Sequence, residues 1–210
     1  MRIVLGLCLA LILFGCGTTT SILGSWKAEG VQAQDFQKTM VLAVTKAPGN
    51  RRLVETQMVE ALAKYQISAV SSYTVFDIDI LLEKTSKEEV ARVLKAQGID
   101  AVLAISLVNV KDETHYQPGT AYAPMGYSRY GGFYGYYGMR SMYAYDPGYY
   151  TETTNYFLES NFYDLDKPEG EHLVWSAQTK TIDPASVQSA VFSYVDRVVK
   201  QLRKDGVIVK

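Results

Sequence analysis

The sequence predicts an α/β fold of the α+β type, with a mixed sheet of about five strands and three packed helices. In the first half of the chain, short β-branched apolar runs alternate with stretches of helical periodicity, which is typical of βαβ units. Two more strand patterns and a long helical pattern close the chain. At 210 residues, 48% of them hydrophobic, the chain is long enough to bury a sizeable core. The predicted order is β-α-β-α-β, insertion, β-β-α.

The first predicted strand is the apolar run 39–45, and the turn at Pro48 and Gly49 ends it. From Asn50 the period becomes helical. The predicted inner face of this helix comprises Val54, Met58, Ala61 or Leu62, and Tyr65. The charged residues that we expect mostly to point to solvent are Arg51, Arg52, Glu55, Glu60 and Lys64.

The next two predicted strands enclose a capped helix. Residues 66–76 have extended character. Ser86 and Glu89 match a capping box, and Gly98 suits the left-handed position after a helix end. Residues 100–110 are almost continuously apolar, which predicts a central strand covered on both faces.

After His115 the composition changes. Residues 116–150 hold eleven of the sixteen tyrosines and seven of the sixteen glycines. Glycine loses the most backbone entropy on folding, and the segment has no aliphatic periodicity. It is therefore predicted to be a long, mobile insertion.

The chain is predicted to end with a hairpin and a helix. The strands are 151–164 and 173–181, and the helix starts at Asp183 and Pro184 and ends at Gly206. Its predicted apolar stripe is Val187, Val191, Tyr194, Val198 and Leu202. If the sheet is mostly antiparallel beyond the βαβ units, we expect the helices to pack largely on one side of it.

The N-terminus has the pattern of an export signal. Arg2 precedes an apolar run, 3–14, that is too short to span a membrane. The run ends in Leu13-Phe14-Gly15-Cys16, which resembles the bacterial lipoprotein signal, the lipobox. The resemblance implies that cleavage occurs before Cys16, that its thiol carries a diacylglyceryl group, and that the new amine carries an acyl chain such as palmitate. Cys8 is lost with the signal, so the mature chain has no disulfide.

Three regions follow from this interpretation. We expect residues 1–15 to be a lipoprotein signal peptide, 16–35 a lipidated N-terminus and linker, and 36–210 a single α/β domain that contains the insertion. Gly17, rather than Asp, after the cysteine resembles the outer-membrane sorting pattern. We therefore expect a lipid anchor in the outer membrane, with the domain on its periplasmic face.

The element order over residues 36–208, with the lipidated start, resembles the small α/β domains of envelope proteins. These are the LpoB-type activators of peptidoglycan synthases, the curli-secretion lipoprotein CsgG and the N-terminal domain of TolB. The resemblance implies a role in the cell envelope. It carries over Cys16 and no other functional residue.

No catalytic residue, cofactor or metal is predicted. A metal site needs three or four ligands, and the chain has two histidines, His115 and His172, which we interpret as solvated strand ends. Asp77 and Asp79 are interpreted as outward carboxylates of an edge segment, and Gly49 before Arg51 is too little for a phosphate site. The formal net charge of -1 leaves no basic excess for nucleic acid.

The Tyr/Gly-rich insertion is the remaining functional candidate, because tyrosine suits recognition of proteins and sugars. The candidate contact residues are Tyr130, Phe133, Tyr134, Tyr136 and Tyr137. A tolerated low-complexity loop, packing on its own domain and self-association stay open. The main hypothesis is a non-enzymatic outer-membrane lipoprotein that serves as an accessory or scaffold in cell-envelope assembly, with an envelope protein or peptidoglycan as partner. The alternative is a glycan-binding module or a cell-wall hydrolase.

Overall fold

The computed structural model describes residues 19–32, 35–76, 86–117, 149–168 and 171–208. Within these ranges a mixed sheet of six strands carries three α-helices, which confirms the predicted fold class. The strands are β1 Thr19–Lys27, β2 Thr39–Val44, β3 Ala69–Ser71, β4 Ala101–Gln117, β5 Tyr149–Asp164 and β6 Leu173–Ile182. The helices are α1 Pro48–Ala63, α2 Lys87–Ala96 and α3 Val187–Lys204.

The sheet has the strand order β1-β6-β5-β4-β2-β3. β2 is parallel to β3 and β4, as two βαβ units require, whereas β6 is antiparallel to β1 and β5. Ile182, the last residue of β6, pairs with Thr19 of β1 on one side and with Asn155 of β5 on the other. Val44, the last residue of β2, pairs with Ser106 of β4. We call this end of the sheet the Thr19 end. Both α1 and α3 begin there, because each directly follows a strand that runs towards it.

The chain divides into two compact units, residues 1–110 with 155–210, and residues 111–154. In the second unit the described residues belong to β4 and β5, where Thr154 Oγ1 donates to Asp112 Oδ1 at 2.7 Å. Both strands extend beyond their predicted limits. The rest of the predicted insertion, 118–148, lies outside the described residues.

Strand β1 lies in the segment that we predicted to be a linker, residues 16–35. It is an edge strand that pairs with β6 in antiparallel register, from Thr19 opposite Ile182 onwards. Within β1, Thr20 is the one fully buried residue. A strand with so little buried surface has no clear alternation of apolar and polar residues, which is why the sequence pattern did not identify it.

In helix α1, two charged residues that we predicted to point to solvent are buried. Met58 and Leu62 are fully buried, in agreement with the predicted inner face. Arg51 and Glu55 are also buried, with 1% and 0% exposure, although we expected both to point to solvent. They form an ion pair, with Arg51 Nε 3.0 Å from Glu55 Oε1. Because burial of a charge requires a partner, the apolar period of the helix alone could not reveal this face.

The predicted strand 66–76 is mostly not a strand. β3 has three residues, and a short 3-10 helix follows it directly. There the Thr74 hydroxyl donates to the Ser71 carbonyl oxygen at 2.7 Å, and the Tyr73 amide donates to Glu55 Oε2 at 3.2 Å. Such local bonds to side chains compete with strand pairing. Apolar residues in this stretch were therefore a poor guide to its backbone.

Helix α2 begins and ends where the sequence predicted, but the structure shows only the serine half of the predicted capping box, because the Glu89 carboxylate accepts from Arg92. Ser86 is the N-cap, and its hydroxyl accepts a hydrogen bond from the Glu89 amide at 3.2 Å. Gly98, just after the helix, has a φ of 66°, a conformation that glycine adopts without steric cost.

Helix α3 starts later than predicted. Its N-cap is Ser186, which forms a capping box with Ser189. Asp183, the predicted cap, has a φ of 42°, which is incompatible with the extended backbone of an N-cap. The end at Gly206 agrees with prediction, since this residue has a φ of 68°. The predicted stripe is buried from Val191 onwards, in Val191, Tyr194, Val198 and Leu202.

Two apolar clusters cover the two faces of the sheet. The larger one joins α1 and α3 to the sheet residues Val41, Leu103 and Trp175. The smaller one contains Met40 and Val102, and the apolar face of α2 packs there. Neighbouring residues on β2 and β4 thus enter opposite clusters, so β4 is covered on both faces over residues 101–105, as predicted. Beyond them Leu107, Val108 and Val110 are about half exposed, so the prediction was wrong for the second half of 100–110. The two long helices, α1 and α3, lie on one side of the sheet, and the shorter α2 lies on the other.

Candidate binding pocket

An open cavity of about 410 Å³ lies in the first unit, between the N-terminal halves of α1 and α3 and the sheet. It is at the Thr19 end, because the late residues of β2 line it. Its lining comprises Ala43, Val44, Thr45, Asn50, Val54, Ile105, Leu107, Tyr156, Leu158, Thr181, Pro184, Ser186, Val187, Ala190, Val191 and Tyr194. The volume falls within the range of small-molecule sites.

The interior of the cavity is mainly aliphatic. Ile105 and Leu158 contribute from the adjacent strands β4 and β5, Val54 contributes from α1, and Val191 from α3. Val54 lies in the second turn of α1 and Val191 in the second turn of α3. The N-terminal halves of the two helices therefore supply the walls of the cavity. Such a surface favours an apolar ligand.

The cavity has an apolar rim, which consists of Val44, Leu107 and Val187. Their exposed fractions are 46%, 52% and 52%. Val187 belongs to the stripe predicted to be buried, and it is the member of that stripe that lies open to solvent. Exposed aliphatic residues around a concave site are typical of binding surfaces.

Two hydroxyl groups at the cavity, those of Thr181 and Ser186, bond to the protein itself. Thr181 Oγ1 lies 2.8 Å from Thr20 Oγ1, and Ser186 Oγ accepts from the Ser189 amide at 3.1 Å. Among the described residues that line the cavity, none is acidic, basic, histidine or cysteine. The lining can hold a neutral apolar group, and it offers no charged partner to a ligand.

Tyr194 forms part of the cavity wall and is itself buried. Its hydroxyl lies 2.5 Å from Ser160 Oγ. Burial raises the pKa of Tyr194 well above its usual value, and the hydrogen bond to Ser160 offsets part of this effect. The phenol therefore stays neutral at physiological pH and contributes an aromatic surface.

A buried polar cluster lies beside the cavity, made by Arg51, Glu55 and Ser72. Arg51 Nη2 donates to Ser72 Oγ at 2.7 Å, and Ser72 Oγ donates to Glu55 Oε1 at 2.6 Å. The Ala43 amide, next to the cavity, also donates to Glu55 Oε1 at 3.0 Å. The sequence contained one signal of this cluster, the i,i+4 spacing of Arg51 and Glu55, which we assigned to the solvent face.

The hydrogen bonds of the Arg51, Glu55 and Ser72 cluster connect three elements of the fold. The Glu55 carboxylate accepts from Arg51, Ser72, Ala43 and Tyr73, so both of its oxygens are occupied. It ties α1 to the end of β2 and to the 3-10 helix. The Arg51 guanidinium is engaged in the same cluster, through Nε to Glu55 and Nη2 to Ser72.

Most sequence-predicted site residues lie outside the described residues. This holds for the lipidation candidate Cys16 and for Asp77 and Asp79. It also holds for the candidate contact residues of the insertion, Tyr130, Phe133, Tyr134, Tyr136 and Tyr137.

The two histidines belong to different units. His115 Nε2 lies 3.6 Å from Glu113 Oε2 in the second unit, and its side chain is 59% exposed. His172 Nε2 lies 2.6 Å from the Lys167 carbonyl oxygen in the first unit. Within the described ranges, no group of three or more His, Cys, Asp and Glu residues has the geometry of a metal site. In the same part of the chain, no helix is long and apolar enough to cross a membrane.

Comparisons with known proteins give a fold likeness alone. No protein-family model and no curated protein matches the sequence. Among solved structures, the chain is similar to the PelC dodecamer from Paraburkholderia phytofirmans, with a TM-score of 0.46, 11% identity, and coverage of 91% of this chain and 99% of that chain. A point variant of that dodecamer gives a TM-score of 0.41 at 10% identity, with coverage of 92% and 99%. At these values the likeness supports no argument about function.

Proposed function

We propose that the protein is a non-enzymatic outer-membrane lipoprotein, anchored through Cys16, that serves as an accessory or scaffold in cell-envelope assembly. The observation that carries the proposal is the sequence Leu13-Phe14-Gly15-Cys16 at the end of an export signal. The domain stands on the periplasmic face of the membrane. The Tyr/Gly-rich segment 116–150 is its contact surface.

The position of the first residue of β1, shortly after Cys16, supports the proposal that the domain is held close to the membrane. Between the end of the signal and Thr19 the chain has three residues, Cys16–Thr18. Three residues span at most about 11 Å when fully extended. A lipid on Cys16 therefore keeps the Thr19 end of the sheet beside the bilayer, instead of holding the domain on the long linker that we first expected.

The character of the cavity supports binding as the function of the folded domain. Its described lining is mainly aliphatic and carries no charge, and the hydroxyl of Tyr194, one of its two tyrosines, is bonded to Ser160. Acid–base or nucleophilic chemistry uses a titratable group within reach of a ligand. The lining suits an apolar group held by contact.

The proposal is tested by crosslinking in cells, followed by purification and mass spectrometry of captured material. Three forms are compared: the parent, Cys16→Ser, and a deletion of residues 122–145. The proposal predicts one envelope protein that the parent captures and the deletion loses. If peptidoglycan fragments are captured instead, the glycan-binding alternative replaces the scaffold. If the deletion retains the partner, the segment is not the contact surface.

A further inference from the structure

The cavity between α1 and α3 lies next to the point where the lipid anchor would join the domain. We propose that this cavity holds one acyl chain of the lipid on Cys16 of the same molecule. The inference rests on the proposed lipidation and specifies where one chain of that lipid goes. Its occupant is a covalently attached part of the protein, not a free ligand.

The first step is the fixed position of the chain just after Cys16. The Thr20 amide donates to Ser193 Oγ at 2.9 Å, and the Thr20 carbonyl oxygen accepts from Arg197 Nε at 2.9 Å. Both partners are on α3, the helix that forms one wall of the cavity. Thr20 is 1% exposed, so this attachment is part of the folded core.

The second step is the short distance from this attachment to the cavity. Thr20 Oγ1 lies 2.8 Å from Thr181 Oγ1, and Thr181 lines the cavity. Cys16 precedes Thr20 by four positions, which correspond to at most about 14 Å of extended chain. An acyl chain that starts on Cys16 therefore begins within reach of the rim.

The third step is the match between the lining and an alkyl chain. The rim residues Val44, Leu107 and Val187 are about half exposed. The described lining contains no charged side chain that a methylene chain would desolvate. Because the acyl chain leaves a bilayer that is itself apolar, the net gain comes from the apolar area of the rim residues that the chain covers.

The fourth step explains why the attached chain, and not a free phospholipid, occupies the cavity. Transfer of an acyl chain from bilayer to cavity exchanges one apolar environment for another, so affinity alone does not select the occupant. Attachment through a few residues makes the binding intramolecular, at an effective concentration in the millimolar range or above. The other chains of the lipid stay in the membrane and keep the anchor.

The test uses the lipidated full-length protein in its own membranes. A photoreactive benzophenone amino acid replaces Val187 at the rim, and in a matched control it replaces Phe192. Phe192 is on the same helix and is 44% exposed, but it does not line the cavity. After illumination, mass spectrometry identifies the group attached at each position. The same digest shows whether Cys16 is lipidated, and circular dichroism checks that both variants fold.

The proposal predicts an adduct between position 187 and an acyl chain of the Cys16 peptide, about tenfold or more above that at position 192. Three results overturn it while Cys16 is lipidated: phospholipid adducts at 187, equal adducts at both positions, or no lipid adduct. An unlipidated Cys16 overturns the proposed function as well, so the two failures are distinguishable. If the variant at 187 does not fold, the same reagent at Val44, the rim residue on β2, gives the decisive result.

Discussion

The hydroxyl oxygen of Thr20 lies 2.8 Å from that of Thr181, and this contact joins the first strand of the sheet to the wall of the apolar cavity. Both residues are 1% exposed. The pair fixes the chain close to Cys16 and close to the cavity at the same time. The proposed acyl site therefore depends on this local arrangement, which a double-mutant cycle can probe.

Thr20→Val and Thr181→Val should each destabilise the domain by about 1–3 kcal/mol, because each leaves the other hydroxyl buried without a partner. The double variant should cost clearly less than the sum of the two. Urea unfolding of the three variants and the parent measures these values. Ser21→Ala, on the exposed side of β1, is the control and should have little effect. Additive losses in the cycle would show that the two hydroxyls do not interact.

Arg51→Met should destabilise the domain by about 3–5 kcal/mol, because it leaves the Glu55 carboxylate buried without its cation. Arg92→Met is the matched control. Arg92 also pairs with a glutamate on its own helix, Glu89 at 3.2 Å, but both side chains are more than half exposed. The control should cost less than about 1 kcal/mol. Equal effects in chemical denaturation would contradict the assignment of Arg51 and Glu55 as a structural cluster.

Much of the fold was predictable, since buried strands and amphipathic helices leave periodic apolar patterns. The central strand β4, the cap at Ser86 and the buried stripe of α3 from Val191 onwards are of this kind. The edge strand β1 was missed because Thr20 is the one fully buried residue in it. Arg51 and Glu55 were assigned to the solvent face because a charged residue is buried only with a partner, and the sequence did not show that the two pair with each other.

The candidate site was less predictable than the fold. The cavity depends on how far apart two helices lie over the sheet, a distance that no local pattern encodes. Val187, for example, continues the apolar period of α3 but lies 52% exposed at the rim. The role of the Tyr/Gly-rich segment stays a prediction, and so does the resemblance to LpoB, CsgG and TolB domains.

The stability of the domain should fall as the pH rises above about 10, with Tyr194 contributing to the fall. Its pKa is raised in the folded state by burial, so the unfolded chain loses the proton first and stability declines as the pH increases. One such group contributes a slope of about 1.4 kcal/mol per pH unit. Tyr194→Phe should be less stable than the parent at pH 7, because Ser160 loses its partner, but should lose stability less steeply above pH 10. Parallel pH profiles from urea unfolding would contradict this.

Deletion of residues 122–145 should leave the domain folded. The part of the chain that the structure describes forms both apolar clusters and the hydrogen bonds of the Arg51 cluster from residues outside this range. We expect a cooperative thermal transition and unchanged Tyr194 burial in the deletion variant, measured by differential scanning calorimetry and near-ultraviolet circular dichroism. Loss of the cooperative transition would mean that the segment belongs to the core.

The central claim is that the mature chain is a lipoprotein of the outer membrane. The most direct measurement is mass spectrometry of the N-terminal peptide from protein recovered from separated inner and outer membranes. We predict that the mature chain starts at Cys16, carries a diacylglyceryl group on its thiol and an acyl chain on its amine, and is found in the outer-membrane fraction. Cys16→Ser should abolish the modification and the membrane association together. A mature chain that starts elsewhere, or an unmodified Cys16, would contradict the account.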